Sequence, residues 1–333
     1  MKKILIITDN LPQQINGVVT TYSNIEICGR ADGYEIAYLT PEDFSYIDCP
    51  KYHEVKLAWP RNMGKKIAAI GPDYIHVATE GPLGIWARAY LANQDIVHNS
   101  AYHTKFPEGL KKLFGIPESW TWRFVRWFHK HSGKVLTTTD SMVRELQAHG
   151  FDGEVVPWTR GVDREIFTPD LRQETPAKYL LCVSRVSKEK NLEAFFELDY
   201  PGYLKIMVGD GPMLETYRKR YPDVHFTGFR TGTALARYYA NAEVFVFPSQ
   251  WETFGIVMIE AMACGTPVAA FPVQGPMDVV DQGKTGYMNE NLADAVTDCL
   301  KLNRQQVVKH SQRWTWQRAW EIFRDNLVDA NQK

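Results

Sequence analysis

Glu252 and Glu260 flank the part of the chain with the clearest chemistry. The apolar run Val244 to Phe247 leads into the polar turn Pro248-Ser249-Gln250-Trp251-Glu252-Thr253. Phe254-Gly255 and the apolar helix Ile256 to Ala263 follow, closed by Cys264-Gly265-Thr266-Pro267. This pattern predicts a strand, a ligand loop and a helix that starts near Gly255. Such a helix end offers unpaired amides and a positive dipole end to an anion. Glu252 lies before that end and Glu260 about two turns along the helix. One carboxylate therefore reaches a group beyond the anion and the other a group on its near side. A sugar nucleotide, with hydroxyls on both sides of its phosphates, has that layout. The alternative for Glu260 is an exposed helix face, since a buried carboxylate needs a partner.

Arg185 and Lys190 stand five residues apart, just after the apolar run Tyr179 to Val183. A planar guanidinium and a compact ammonium can close on a diphosphate together. Spacing alone leaves a solvated basic turn equally open, because Lys188 and Glu189 lie between them. Gly209 and Gly211, in Val208-Gly209-Asp210-Gly211-Pro212, let the chain approach a nucleotide closely or simply turn after a strand. Gly17, after Asn16, lets the first loop pass close to a phosphate or sugar, or only begins a helix.

The Glu-x7-Glu spacing, the Phe-Gly loop and the tail Glu260-Ala261-Met262-Ala263-Cys264-Gly265-Thr266-Pro267-Val268 resemble the retaining glycosyltransferases of family 4, which have the GT-B fold. The resemblance extends over nearly the whole chain. It includes Asn16-Gly17-Val18-Val19, Glu80-Gly81-Pro82-Leu83-Gly84 and Tyr102-His103-Thr104-Lys105-Phe106-Pro107. Arg160-Gly161-Val162-Asp163 and Ser184-Arg185-Val186-Ser187-Lys188-Glu189-Lys190-Asn191 continue it in the family's order. The resemblance implies that Glu260 accepts the nucleotide ribose hydroxyls and Glu252 contacts the donor sugar. Arg185 and Lys190 then bind the diphosphate, with the amides of Phe254, Gly255 and Ile256 helped by the helix dipole. His103 lies over the donor sugar, in place of the structural role more usual for a lone histidine. Arg230, after Phe229, flanks the base. The implied catalytic set is His103, Arg185, Lys190 and Glu252. Gly17, Gly209, Gly211, Arg230, Phe254, Gly255, Ile256 and Glu260 bind the donor.

The implied reaction moves a hexose from a nucleotide-diphosphate sugar to a hydroxyl acceptor with retained anomeric configuration. A UDP-sugar is favoured ahead of GDP-mannose. No Asp-x-Asp occurs in the chain, so the common metal-diphosphate motif is missing and neither metal nor cofactor is expected. Arg185, Lys190 and the helix end can neutralise the leaving diphosphate instead. Two carboxylates also suggest a hydrolase pair, but hydroxyl binding accounts for both. The competing readings are a GT-B sugar-nucleotide epimerase, which needs acid and base residues not identifiable here, and a non-catalytic sugar-nucleotide-binding protein.

The 333 residues suggest two domains, and the 44% hydrophobic content is enough for packed cores. A formal net charge of -1 gives no global reason for a polyanion partner. Cys28, Cys49, Cys182, Cys264 and Cys299 form no C-x-x-C pair, which argues against zinc or disulfides and suits a reducing cytosol. Ile4-Leu5-Ile6-Ile7 is too short for a signal peptide or a membrane span. The expected location is cytoplasmic, with a peripheral position on the inner face of the cytoplasmic membrane in view.

Strands are expected at Lys3 to Thr8, Glu35 to Leu39, Val55 to Leu57, Tyr74 to Val77, Asp95 to His98 and Lys134 to Thr138. Helices at Val18 to Cys28, Leu83 to Leu91, Trp120 to His131 and Ser141 to His149 lie among them. Val155 to Pro176, with three prolines, reads as an irregular domain junction. A second series has strands at Tyr179 to Val183, Tyr203 to Val208, Val224 to Thr227, Val244 to Phe247 and Pro267 to Ala270. The alternation predicts an α/β fold of two doubly wound Rossmann-like domains, facing across a cleft by the resemblance. The expected domains are 1–160 on the acceptor side and 161–312 for the nucleotide sugar. Residues 313–333 form a C-terminal helix that crosses back to the first domain.

Lys105 to Lys134 carries Lys105, Lys111, Lys112, Arg123, Arg126, Lys130 and Lys134 against Glu108 and Glu118, a net +5. Phe106, Phe114, Trp120, Trp122, Phe124, Trp127 and Phe128 are interleaved with them. Either this is a core helix with a solvated basic edge, or the segment sits on an anionic membrane surface. The acceptor is expected to be a membrane lipid or another glycan. The neutral overall charge argues against a nucleic-acid acceptor.

Overall fold

A computed structural model describes residues 1–14, 16–48, 56–103, 105, 107–109, 111, 115–174 and 176–331. Cys49, Val55, Thr104, Phe106, Lys112 and Phe114 lie outside the described residues. The chain divides into two compact units, residues 1–160 with 316–333 and residues 161–315.

The first unit holds a parallel sheet of β1 (Lys3–Ile7), β2 (Glu35–Leu39), β5 (Tyr74–Val77), β6 (His98–Tyr102), β7 (Ser132–Thr137) and β8 (Val155–Pro157). Their order across the sheet is β2-β1-β5-β6-β7-β8. A separate antiparallel hairpin pairs β3 (Ser45–Asp48) with β4 (Lys56–Trp59). The helices are α1 (Gly17–Ala31), α2 (Met63–Ile70), α3 (Pro82–Asn93), α4 (Glu118–His129) and α5 (Asp140–Ala148). Ile4 to Ile7 are fully buried, as a strand covered on both faces requires.

The second unit contains β9 (Tyr179–Val183), α6 (Glu193–Phe196), β10 (Leu204–Val208), α7 (Leu214–Arg220), β11 (Val224–Gly228) and α8 (Gly232–Asn241). β12 (Val244–Phe247), α9 (Ile256–Ala263), β13 (Val268–Ala270), α10 (Pro276–Val279), β14 (Gly286–Met288), α11 (Leu292–Cys299) and α12 (Arg304–Ser311) complete it. Its parallel sheet runs β11-β10-β9-β12-β13-β14. Chain order reverses between β9 and β12, and ligands bind beyond the strand ends at such a switch point.

The C-terminal helix α13 (Trp316–Asp325) returns to the first unit. Trp320 and Phe323 are fully buried with Tyr22, Ile25 and Ile36. Trp158 Nε1 donates to the Ala319 carbonyl at 2.8 Å and Trp320 Nε1 to Asp32 Oδ2 at 2.9 Å. The crossing helix implied by the resemblance is therefore present, although shorter than the expected span of 313–333.

Three expected elements move. The strand expected at Asp95 to His98 starts only at His98, because Asp95 takes a left-handed turn at φ 52° after α3. The strand that forms, His-Asn-Ser-Ala-Tyr, is polar yet buried. Asn99 donates to the Asn326 carbonyl at 2.8 Å, and Ser100 Oγ lies 2.7 Å from His129 Nδ1. Val155 to Pro157, read as part of the junction, pairs with β7 as an edge strand, where proline is tolerated. The strand expected at Val55 to Leu57 runs Lys56 to Trp59, in a hairpin whose other strand is exposed and in which β4 buries only Ala58, too little to impose alternation.

Candidate functional site

The loops after β9 and β12 meet at the switch point of the second unit. Asn191, at φ 52°, ends the short 3-10 turn Lys188–Lys190. Its side-chain amide donates to the Pro248 carbonyl at 3.0 Å and ties the two loops together. Across that tie, Lys190 Nζ donates to Glu252 Oε2 at 2.9 Å. The other oxygen, Glu252 Oε1, accepts the Thr253 amide at 3.2 Å. Burial works against the Lys190 charge, but the charge and hydrogen bond of Glu252 outweigh it and the pKa is raised. Lys190 is therefore an ammonium held in place by a carboxylate.

Gly255 caps α9 at φ +81°, a conformation that favours glycine. A Cβ there would also meet Met258 Cε at 2.7 Å. Gly255 has no side chain to occupy the first-turn amides, so the helix end suits an anion. Glu260, inside α9, receives the Tyr239 hydroxyl at 3.0 Å on Oε2. Burial raises its pKa to about 7, against the lowering effect of that hydrogen bond. The carboxylate is thus half-buried and paired with a phenol, which sets aside the exposed-face alternative. Tyr239 lies in α8, where the helical pattern marks it only as core.

Gly209 and Gly211 serve the backbone. A Cβ on Gly209 would lie 1.9 Å from the Ser184 carbonyl oxygen, and one on Gly211 2.5 Å from that of Val186. Val186 N also donates to the Asp210 carbonyl at 2.9 Å. The loop after β10 is therefore packed onto the segment that carries Arg185, which is exposed. Arg230 stands apart. It follows β11, the sheet edge, and its Nη1 donates to its neighbour's carbonyl at Phe229, 2.9 Å away. The structure brings together Lys190, Glu252, the Gly255 helix end and Glu260, with Gly209 and Gly211 as support.

In the first unit, Gly17 opens α1. Asn16 Oδ1 accepts the amides of Val18 and Val19 at 3.0 and 2.9 Å, which narrows what that helix end can offer a ligand. His103 follows β6 and is buried. Its Nε2 lies 3.0 Å from the Tyr22 hydroxyl, and Arg160 Nη2 lies 2.9 Å from its Nδ1. Asp9, which sequence reasoning passed over, caps α3: its carboxylate accepts the Leu83 amide at 2.6 Å and the Thr79 hydroxyl at 2.7 Å.

The basic segment divides. Trp122 and Phe128 are core. Lys111 pairs with Glu118 at 2.8 Å, Lys134 with Glu154 at 3.0 Å and Lys105 with Glu145 at 4.0 Å. Arg126 donates to the His149 carbonyl. The net +5 is therefore not one open patch. What faces outward along α4 and just beyond it is Trp120 (69% exposed), Arg123, Trp127 and Lys130.

Two family models tile the chain. Glycosyltransferase Family 4 matches residues 16–166, and Glycosyl transferases group 1 matches residues 163–314. The chain belongs to the family 4 glycosyltransferases. A GDP-mannose-dependent alpha-mannosyltransferase of Mycobacterium tuberculosis is 26% identical over 98% of this chain and 95% of its own length. An alpha-monoglucosyldiacylglycerol synthase of Streptococcus pneumoniae is 26% identical over 90% of this chain and 78% of that protein. A sucrose-phosphate synthase structure from Thermosynechococcus elongatus superposes with a TM-score of 0.78 at 20% identity, covering 98% of this chain and 99% of that one. Two Rossmann-like units with this likeness make the fold GT-B.

Proposed function

We propose that this glycosyltransferase moves a hexose from a nucleotide-diphosphate sugar to a lipid-borne hydroxyl, with retention and without a metal. The observation that carries the reading is the Lys190–Glu252 pair at 2.9 Å beside the open helix end at Gly255, with Glu260 further along the same helix. Arg185, Lys190 and the first-turn amides of α9 take the diphosphate and stabilise it as it leaves. Glu260 accepts the ribose hydroxyls and Glu252 a hydroxyl of the sugar. Gly17 and His103 keep the roles at the donor that the resemblance implies.

The bond from the sugar to the diphosphate breaks, and the acceptor hydroxyl attacks on the same face, giving up its proton to the departing diphosphate oxygen. Lys190, at 2.9 Å, holds the Glu252 carboxylate in place as a hydroxyl acceptor. Both UDP and GDP suit this set of contacts. The mannosyltransferase relative, matched end to end, puts GDP-mannose beside UDP-sugars as the first donors to compare. The diacylglycerol-linked name of the second relative supports a lipid acceptor, as does the outward face of Trp120, Arg123, Trp127 and Lys130.

The test is incubation with a panel of nucleotide sugars, with and without lipid extract, in excess chelator. Release of nucleotide diphosphate together with a sugar-bearing lipid supports the proposal. Interconversion of the donor alone, or turnover that only added magnesium or manganese restores, contradicts it.

A further inference from the structure

Four polar side chains from separate elements of the first unit form a buried chain: Arg160 after β8, His103 after β6, Tyr22 in α1 and His76 in β5. We propose that Arg160 is a positioning residue that fixes His103 in the tautomer protonated on Nε2. Its consequence for transfer rests on the reading that His103 lies at the donor sugar.

Hydrogen-bond capacity decides the assignment. A guanidinium only donates. Arg160 Nη1 donates to the Trp158 and Thr159 carbonyls at 2.7 and 3.0 Å, and Nη2 reaches His103 Nδ1 at 2.9 Å. Its plane lies over the Trp158 ring, 4.5 Å from the centroid. Nδ1 must therefore accept, and the proton of the neutral ring sits on Nε2, which donates to the Tyr22 oxygen at 3.0 Å. The Tyr22 O–H then donates to His76 Nε2 at 2.7 Å. This leaves one orphan, His76 Nδ1, which has no hydrogen-bond partner. If His76 donated to Tyr22 instead, the phenol proton and His76 Nδ1 would both be stranded, two unsatisfied buried groups in place of one.

The electrostatics agree. Burial lowers the His103 pKa well below its ordinary 6.5, and the charge of Arg160 adds to the effect, followed by His76 and His129. Burial brings Arg160 down to about 10, so it remains a cation at neutral pH. Among the described residues, Arg160, Tyr22, His76 and His129 are titratable groups that act on His103. A second positive charge on His103 would confront the guanidinium at hydrogen-bond distance. His103 therefore meets its substrate as a fixed, neutral ring whose two nitrogens are both committed, and it exchanges no proton in the reaction.

The experiment is long-range proton–nitrogen NMR of the full-length chain labelled with 15N-histidine, between about pH 5 and pH 8, with His103→Gln to assign the signals. Wild type should show His103 neutral, protonated on Nε2 and unchanged across the range. Arg160→Met should release it, giving mixed tautomers and a titration inside the window, with kcat reduced roughly tenfold or more. Arg160→Lys should restore part of the wild-type signature. The proposal is overturned if wild-type His103 is protonated on Nδ1, if it titrates in the window, or if Arg160→Met leaves its signals unchanged. Should Arg160→Met fail to fold, the wild-type spectrum and the lysine variant still decide. Normal turnover in an Arg160→Met variant with a released tautomer keeps the positioning role and removes His103 from the donor site.

Discussion

At the scale of residues, the two glutamates differ in environment more than in distance along the chain. Glu252 is neutralised by Lys190, whereas Glu260 has a phenol and a pKa of about 7. Glu260→Gln is expected to weaken binding of the free nucleotide diphosphate. Glu252→Gln should spare that ligand and weaken the intact sugar nucleotide. Calorimetry with both ligands checks the division, and equal losses in both variants argue against it. Nucleotide affinity should also rise with pH through about 7 and level off, because the ionised Glu260 is the better hydroxyl acceptor. For stability the sign is opposite. The folded-state pKa lies above the ordinary 4.5, so this group's contribution is full below that value and is lost as pH rises through about 7. Glu260→Gln should flatten that part of the stability profile, measured by thermal melts.

Removing one group that stabilises the diphosphate costs on the order of 10²-fold in turnover. Arg185→Ala and Lys190→Ala should each approach that. Lys190→Ala does further damage by leaving Glu252 without its partner. The double variant Lys190→Ala/Glu252→Gln should therefore lose less than the single effects combined. Strict additivity in kcat/KM would separate the two residues.

At the scale of elements, the decisive joint is α13 against α1. Trp320 is fully buried there, beside Gly29, where even a Cβ would meet Ile36 Cδ1 at 2.7 Å and the Trp320 ring at 3.0 Å. Arg324 pairs with Asp32 at 2.9 Å on the rim. Trp320→Ala should cost about 3–5 kcal/mol, the scale for an emptied tryptophan site. Hydrogen exchange should report the loss within residues 1–160 and leave the amides of 161–315 protected as before. A uniform loss over both units would show that α13 does not belong to one of them alone.

At the scale of the whole molecule, no helix among the described residues is long and apolar enough to cross a membrane. The outward face of α4 offers a different association. Trp120, Arg123 and Trp127 recur at helical spacing with Lys130 just beyond, and aromatic rings beside cationic side chains suit a lipid headgroup layer. Each basic residue near an anionic surface is worth about 1 kcal/mol, so the tryptophans must carry part of the binding. Salt-sensitive co-sedimentation with vesicles of anionic lipid is expected, with little on neutral ones. Arg123→Gln with Lys130→Gln should weaken it, and Trp120→Ser with Trp127→Ser should abolish it. Failure of the wild type to sediment at low salt would remove this support for a lipid acceptor.

The linear chain determined most of what local chemistry can express. The apolar runs Ile4 to Ile7, Tyr179 to Val183 and Val244 to Phe247 become buried parallel strands because their composition suits a sheet covered on both faces. Gly255 and the helix behind it were legible because a helix start has its own signature, and α9 runs from Ile256 to Ala263 as expected. Only the tertiary structure decided the partners. Nothing in the spacing of Lys190 and Glu252, sixty-two residues apart, says that they touch. Adjacent placement of β9 and β12 in the sheet brings their loops together. Tyr239 reads as core until α8 lies beside Glu260, and His103 reads as a lone histidine until Arg160 and Tyr22 take both its nitrogens. The buried polar strand β6 escaped its own composition for the same reason. A hydrogen bond between distant residues has no period in the sequence, whereas the burial of an apolar face does.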